Sequence, residues 1–258
     1  MRRIWAWLRD RIEVEILAAM GFIAGTVWVF AVLADGVTEG TASAFDRAVL
    51  LALRNPADPA DPLGPPWLEL MMRDLTALGG VAVLGLITIS VSGLLWLQGR
   101  RRAVALLLAA IGGGQLFSSI AKWIIDRPRP DIVPHETLVT SASFPSGHSM
   151  MATITYLTLA VMVARLQTRR SLRLYLVGMA ILASFLVGAS RVYLGVHWPS
   201  DVLAGWAAGA GWALGCLLLA DWLFPDSKPE QARGALRSGR GRETGPSHRI
   251  RDGRRNGR

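Results

Sequence analysis

Six apolar segments dominate this chain, and each is close to the length needed to cross a lipid bilayer. Of the 258 residues, 52% are hydrophobic and only 18% are charged, and the apolar residues are gathered in long blocks instead of being spread as in a soluble core. A spanning helix needs about 17 to 25 residues. The blocks with few or no charges are 16–34, 75–98, 103–121, 149–164, 174–190 and 202–220. This pattern predicts an all-α integral membrane bundle of six transmembrane helices.

The rest of the sequence leaves little room for a second folded domain. Residues 1–225 are expected to form the membrane domain, with 36–66 as an extracytoplasmic loop that contains a proline-rich stretch unsuited to helix. Residues 226–258 are rich in Gly and Arg and poor in apolar side chains, which predicts a disordered basic cytoplasmic tail. An alternative for the first block is a cleaved signal peptide, but the block exceeds the usual apolar length of about 7 to 15 residues.

Basic residues outside the apolar blocks fall on one side of a six-span arrangement. Loops rich in Lys and Arg near helix ends stay in the cytoplasm. The residues concerned are Arg2, Arg3, Arg9, Arg11, Arg100, Arg101, Arg102, Arg165, Arg169, Arg170, Arg173 and the tail. The formal net charge of +9 comes largely from these loops and the tail, so it does not indicate a nucleic-acid-binding protein. We expect a multi-pass inner-membrane protein with both termini cytoplasmic.

Three short polar signatures interrupt the apolar sequence in a fixed order. They are Lys122 followed by Arg129-Pro130, then Pro145-Ser146-Gly147-His148, then Ser190-Arg191 followed by His197 and Asp201. Charged side chains and imidazoles beside membrane-length segments are costly unless they serve a function. Two predicted spans separate the second signature from the third, so all three emerge on the same, periplasmic side and can form one site.

The residue types in these signatures suit an anion and a nucleophile. Ser146 is predicted to cap the helix that follows, whose free N–H groups and positive dipole end attract phosphate. Gly147 allows a ligand close to the backbone, and His148 lies in the first helical turn. Pro199 fits the first position of the last helix, which brings the Asp201 carboxylate within reach of the His197 imidazole. A carboxylate that orients an imidazole is the arrangement an activated histidine nucleophile needs.

Three cations, Lys122, Arg129 and Arg191, complete the predicted site. Phosphoryl transfer spreads negative charge over the equatorial oxygens, and fixed positive charge stabilises it. An alkoxide leaves poorly at neutral pH, so a second histidine is needed as general acid, and His148 is the candidate.

With these residues in place, the chain resembles the type 2 phosphatidic acid phosphatase superfamily, whose pattern it matches at every fixed position between Lys122 and Asp201. The resemblance covers residues 103–224. It implies a metal-independent phosphatase in which His197 attacks phosphorus to form a phosphohistidine, Asp201 supports His197, and His148 is the general acid. It also implies a phosphate site built from Lys122, Arg129, Ser146, Gly147 and Arg191, with Ser190 as a further contributor, and no cofactor.

The same resemblance implies a membrane lipid phosphate as substrate. Members of the superfamily act on phosphatidate, phosphatidylglycerol phosphate, diacylglycerol pyrophosphate, undecaprenyl pyrophosphate or lipid A, and undecaprenyl pyrophosphate is our first expectation. The sequence leaves open a lipid phosphotransferase with the same nucleophile, an anion transporter, and the vanadate-binding haloperoxidase branch. It does not indicate an oligomeric state.

Several residues have a second interpretation at this stage. His148, His197 and Asp201 form a set that could bind a metal ion, although three nearby cations would repel it. Arg127 is either a phosphate ligand or a solvated loop charge. Residues 67–78 are either an interfacial helix or the upper part of the second span, kinked at Gly79-Gly80. The run from Gly112 to Gly114 predicts close helix packing.

Overall fold

The structure of the protein is a computed structural model that describes residues 14–132 and 141–223. The N-terminal arginines from Arg2 to Arg11, the segment 133–140 and the basic tail at 226–258 lie outside the described residues. Predictions about them stay predictions.

The described residues form eight α-helices and one small sheet, which agrees with the all-α prediction. The helices are α1 (Val14–Thr38), α2 (Ser43–Leu51), α3 (Pro66–Ala77), α4 (Val81–Leu97), α5 (Arg101–Ile125), α6 (Gly147–Ala164), α7 (Arg170–Tyr193) and α8 (Pro199–Leu223). The sheet is an antiparallel pair of short strands, β1 (Arg54–Asn55) and β2 (Asp58–Pro62).

Within residues 14–132 and 141–223, five helices are individually long and apolar enough to cross a membrane, namely α1, α5, α6, α7 and α8. The second predicted block is interrupted: α3 and α4 meet at an angle of 42° and together form a sixth candidate span. The break falls at Leu78, Gly79 and Gly80, so Pro66–Ala77 forms a separate helix in front of a kink. A Cβ atom on Gly79 would lie 2.4 Å from Cγ1 of Val187 and 3.2 Å from the carbonyl oxygen of His148, so glycine lets the kink lie close to both α7 and α6.

The segment 36–66 is more ordered than a simple extracytoplasmic loop. It contains helix α2 and both strands; Pro59 and Pro62 lie in strand β2, while Pro65 and Pro66 are the N-cap and the first residue of helix α3. The side chains of Asp46 and Leu50 on α2 are completely buried. This segment therefore packs into the protein, and its burial follows from contacts that the local sequence does not reveal.

Helix α6 is the most enclosed helix of the bundle and packs most extensively against α7 and α8. Its buried side chains include Met150, Met151 and Ile154, which form an apolar cluster with Leu84 and Ala110. Large apolar side chains elsewhere, such as Trp28, Leu86 and Ile89, are exposed on the outer surface of the bundle. A membrane bundle shows this distribution because lipid, not water, covers its outside.

Small residues set the distance between α8 and its neighbours. A Cβ atom on Gly209 would lie 2.8 Å from the carbonyl oxygen of Met150, and one on Gly205 would lie 2.9 Å from the carbonyl oxygen of Ser146. Glycines that let two backbones approach are typical of helix contacts in membranes. The predicted packing role also holds for Gly113 and Gly114, which contact Trp212, but Gly112 has no neighbour within 4 Å of its Cβ position.

We predict that Gly209→Ala destabilises the protein, because the added methyl group meets the backbone of α6. Overpacking of this kind costs about 1 to 3 kcal/mol. Gly215→Ala is the matched control on the same helix, since nothing lies within 4 Å of its Cβ position. Thermal unfolding of both variants in the same detergent measures the difference. Equal midpoints would contradict the close packing of α6 and α8.

Candidate active site

The three signatures meet at one end of the bundle. Lys122 and Arg191 lie in the last turns of α5 and α7, while His148 and Asp201 lie in the first turns of α6 and α8. Neighbouring helices run in opposite directions, so these C-terminal and N-terminal ends coincide. At the other end, an ion pair joins Arg165, which follows the last residue of α6, to Asp221 in the last turn of α8. The arginine-rich connections predicted to be cytoplasmic therefore lie at the opposite end from the signatures.

His197 and Asp201 form a buried pair at the start of α8. His197 Nδ1 lies 3.3 Å from Asp201 Oδ2, and the same carboxylate oxygen accepts a hydrogen bond of 3.0 Å from the backbone N–H of Trp198. Helix α8 begins at Pro199, as predicted, which places Asp201 in the first turn. Gly195, with φ of 71°, allows the chain to turn between α7 and this pair. Because a carboxylate only accepts hydrogen bonds, Nδ1 is assigned the proton of this pair, and the lone pair of His197 is then on Nε2.

Arg129 lies within hydrogen-bond distance of that nitrogen. Its Nη1 atom is 3.2 Å from His197 Nε2 and donates a hydrogen bond of 2.9 Å to the carbonyl oxygen of Val196. Burial comes first among the causes that hold the pKa of His197 well below its ordinary value, followed by the charges of Arg191, Arg129 and Lys122. His197 is therefore neutral at neutral pH, which is the form in which a histidine can act as a nucleophile.

The second signature caps helix α6. The Ser146 hydroxyl oxygen accepts a hydrogen bond from the backbone N–H of Ser149 at 3.4 Å and one from its hydroxyl at 2.9 Å. The backbone N–H of Ser146 donates to the carbonyl oxygen of Asp201 at 2.9 Å, which ties the start of α6 to the start of α8. Ser146 is thus the predicted N-cap. Its hydroxyl is fully buried and engaged within the cap, whereas Gly147 and His148 are partly exposed.

The three predicted cations have uncharged partners. Lys122 Nζ donates to the carbonyl oxygen of Ala142 at 2.6 Å, and Arg129 Nε donates to that of Ser141 at 3.1 Å. Arg191 Nη1 donates to the hydroxyl of Thr76 on α3 at 3.0 Å. Within the described residues, none of the three cations pairs with a carboxylate, and the buried Nε of Arg191 has no hydrogen-bond partner there. Clustered cations without local counter-charges make an anion-binding site.

Ser190 differs from the other predicted site residues. Its hydroxyl donates to the carbonyl oxygen of Val187 in its own helix at 2.7 Å, and the side chain is fully buried. The structure therefore uses Ser190 within α7 and does not direct its proton toward the cations.

Arg127 is a buried side chain that pairs with two carboxylates, not a solvated charge. Only 11% of its side chain is exposed. Its Nη1 atom donates to Asp201 Oδ1 at 2.6 Å, and its Nη2 atom donates to Asp46 Oδ2 at 2.6 Å. The interpretation as a solvated loop charge was wrong, because the two carboxylates that bind Arg127 are distant in the chain and no local pattern identifies them.

A metal centre receives no support from the arrangement of ligands. Among residues 14–132 and 141–223, no group of three or more His, Cys, Asp or Glu side chains is placed to hold a metal ion. In particular, both carboxylate oxygens of Asp201 are engaged by Arg127, His197 and Trp198. The set of His148, His197 and Asp201 therefore does not form a ligand cluster.

Comparison with known proteins agrees with this geometry. The sequence pattern of the PAP2 superfamily matches residues 103–225. Phosphatidylglycerophosphatase B of Bacillus subtilis (strain 168) is 33% identical over 186 residues, which cover 70% of this chain and 85% of that protein. An undecaprenyl-diphosphatase of Sulfolobus acidocaldarius is 31% identical over 100 residues, which cover 37% of this chain and 44% of that protein.

A solved structure shares the fold. The crystal structure of a transmembrane PAP2-type phosphatidylglycerolphosphate phosphatase from Bacillus subtilis superimposes with a TM-score of 0.69 at 28% identity, covering 77% of this chain and 96% of that chain. These matches confirm the resemblance drawn from the three signatures. The chain belongs to the PAP2 superfamily of membrane lipid phosphate phosphatases.

Proposed function

We propose that this protein removes the terminal phosphate from a membrane lipid phosphate or pyrophosphate through a phosphohistidine on His197. One observation carries the proposal: Nε2 of His197 faces Arg129, while Nδ1 faces the Asp201 carboxylate. Nε2, the nitrogen that can attack phosphorus, therefore lies beside a phosphate-binding cation. Nδ1 lies beside the carboxylate that orients the ring.

The reaction has two steps. The lone pair of His197 Nε2 attacks phosphorus, the bond between phosphorus and the lipid oxygen breaks, and His148 gives a proton to that oxygen. Water then attacks the phosphohistidine, His148 takes the proton from this water, and phosphate leaves while His197 returns to its neutral form. Lys122, Arg129, Arg191 and the backbone N–H of Gly147 hold the phosphate oxygens through both steps. Ser146 contributes through the cap that positions this N–H group.

The position of the site supports a lipid substrate. The signatures lie where the helices end, so a phosphate bound there is at the membrane boundary while an apolar chain stays beside the bundle. The arginine-rich connections lie at the other end, which supports cytoplasmic termini and a periplasmic site in the inner membrane. Undecaprenyl pyrophosphate is our first proposal for the substrate and phosphatidylglycerol phosphate the second, and relatives named for each activity support both.

A panel of lipid phosphates tests the activity. Purified wild-type protein in detergent should release inorganic phosphate. His197→Ala should reduce the rate by about 10³-fold or more, because the remaining residues of a catalytic unit cannot replace its nucleophile. EDTA should not change the wild-type rate, since fixed cations carry the phosphate charge. Transfer of the phosphate to another acceptor without release of free phosphate would identify a phosphotransferase. Phosphate transport that continues in His197→Ala would identify a transporter.

The role of His148 can be tested by changing the leaving group. A lipid monophosphate loses an alkoxide that needs a proton, so His148→Ala should lower its kcat/KM by about 10² to 10⁴-fold. A lipid pyrophosphate loses a phosphate ester whose oxygen has a pKa of about 6 and leaves without help. The same variant should therefore retain far more kcat/KM on the pyrophosphate. Equal losses on both substrates would show that His148 is not the general acid.

The acid limb of the pH profile tests the ionisation of His197. Burial and neighbouring cations lower the pKa of His197, so the neutral nucleophile persists below pH 6.5 and kcat/KM should decline only in more acidic solution. Arg129→Gln removes one cation, which raises this pKa and should move the acid limb upward by about one pH unit.

Arg129→Lys is the matched control, because it retains the charge and should leave the limb near its wild-type position. The ionisation of the substrate is the same for all three proteins, so a difference among them belongs to the enzyme. An acid limb that moves to lower pH in Arg129→Gln would contradict the proposed electrostatics.

A further inference from the structure

Asp46 is a buried carboxylate that the mechanism above does not use. It lies on α2, outside the residues 103–225 that match the family pattern, and its side chain is completely buried. It accepts three short hydrogen bonds: from the Ser200 backbone N–H at 2.8 Å, the Ser200 hydroxyl at 2.6 Å and Arg127 Nη2 at 2.6 Å. Burying a carboxylate is costly unless it is paired and hydrogen-bonded, and these three donors supply that compensation.

Arg127 joins Asp46 to the carboxylate of the proposed nucleophile pair. One nitrogen of its guanidinium contacts Asp46, and the other contacts Asp201 Oδ1 and the Ser200 hydroxyl, at 2.6 and 2.7 Å. The ring of Trp198 lies 5.4 Å from the guanidinium carbon. The planar fork of Arg can serve two carboxylates at once, which the single ammonium of Lys does less well.

The contacts divide the two oxygens of Asp201 between two partners. Oδ1 is bound by Arg127, and Oδ2 lies against His197 Nδ1 and the Trp198 N–H. With Oδ1 held, the carboxylate cannot rotate away from the imidazole. Arg127 therefore acts on the orientation of His197 through Asp201 and does not touch the nitrogen that attacks.

The charges explain why a second carboxylate is present. Arg127 and Asp201 alone would form a neutral pair, which stabilises an imidazolium poorly. Asp46 brings the group of three to a net charge of −1. This negative charge stabilises the positive charge that His197 acquires when it bonds to phosphorus. The three phosphate-binding cations disfavour that positive charge.

We propose that Asp46 and Arg127 are positioning residues that hold the Asp201 carboxylate against His197 and supply the negative charge that its transition state requires. This inference rests on the proposed function, because it concerns the same nucleophile. Through Asp46, helix α2 would then contribute to catalysis, although the sequence predicted only a loop in this segment.

Four variants test the unit: Asp46→Asn, Arg127→Met, the double variant, and Arg47→Met as a control on the exposed face of α2. Each is purified and assayed for kcat, KM and inhibition by inorganic phosphate. We expect each single change at Asp46 or Arg127 to lower kcat by about 10 to 100-fold, less than the ~10⁴-fold that loss of an orienting carboxylate can cost. Phosphate should bind no more weakly than to wild type, because the cations remain. Arg47→Met should behave as wild type.

The double variant separates a shared role from two structural ones. If both residues act through Asp201, the double variant should lose no more kcat than the worse single variant, whereas independent effects would multiply. Size-exclusion profiles and thermal midpoints show whether each variant folds. Arg127→Lys, which retains the buried charge, replaces Arg127→Met if the latter does not fold.

Three results would overturn the inference. They are unchanged kcat in Asp46→Asn, weaker phosphate binding with unchanged kcat in the Arg127 variant, and failure of both the Asp46 and Arg127 variants to fold. The second result would make Arg127 a phosphate ligand, and the third would make the unit purely structural. If wild type releases no phosphate, or if His197→Ala remains active, the proposed function itself has failed, and that outcome is visible before the new variants are made.

Discussion

The carboxylate of Asp201 is the group on which the rest of the site depends. Its oxygens bind Arg127, His197 and the Trp198 N–H, and its backbone carbonyl accepts the N–H of Ser146. One residue in the first turn of α8 therefore connects the proposed nucleophile His197, the cap of α6 and the connection after α5. A buried carboxylate is stable only with such a set of donors, so the requirement to satisfy it also aligns the elements that carry the signatures.

Close backbone contact makes that alignment possible. Gly205 and Gly209 let α8 lie against α6 at distances that a methyl group would not permit. The N-terminal ends of these two helices can then share one small volume, with two positive dipole ends directed at it. The cations of α5 and α7 reach the same place from C-terminal ends, where side chains and not the backbone must supply positive charge. The spacing of the helices therefore determines how closely the dipole ends and the cations approach one another in the site.

The sequence was informative where a pattern is local. Apolar blocks predicted the helices, Ser146 was recognisable as a cap from Pro-Ser-Gly-His before a helical run, and the spacing from His197 to Asp201 indicated their contact. It was not informative where a contact joins distant segments. Asp46 resembles any acidic residue of a loop, and only the folded chain brings it to Arg127 and Ser200. Thr76 is a similar case, because no pattern in the sequence of α3 predicts its hydrogen bond to Arg191. The kink between α3 and α4 was one of two open alternatives, since Gly79-Gly80 permits a break without requiring one.

The segment ahead of residue 103 touches the signatures at several points. Asp46 binds Arg127, and Thr76 binds Arg191. The buried Arg54 donates to the carbonyl oxygen of Tyr193, at the end of the helix that carries Arg191. A chain shortened to residues 103–225 would retain every signature residue but would lose these three supports. The residues that match the family pattern are therefore not sufficient to build the site, because contacts from the first hundred residues fix side chains within it.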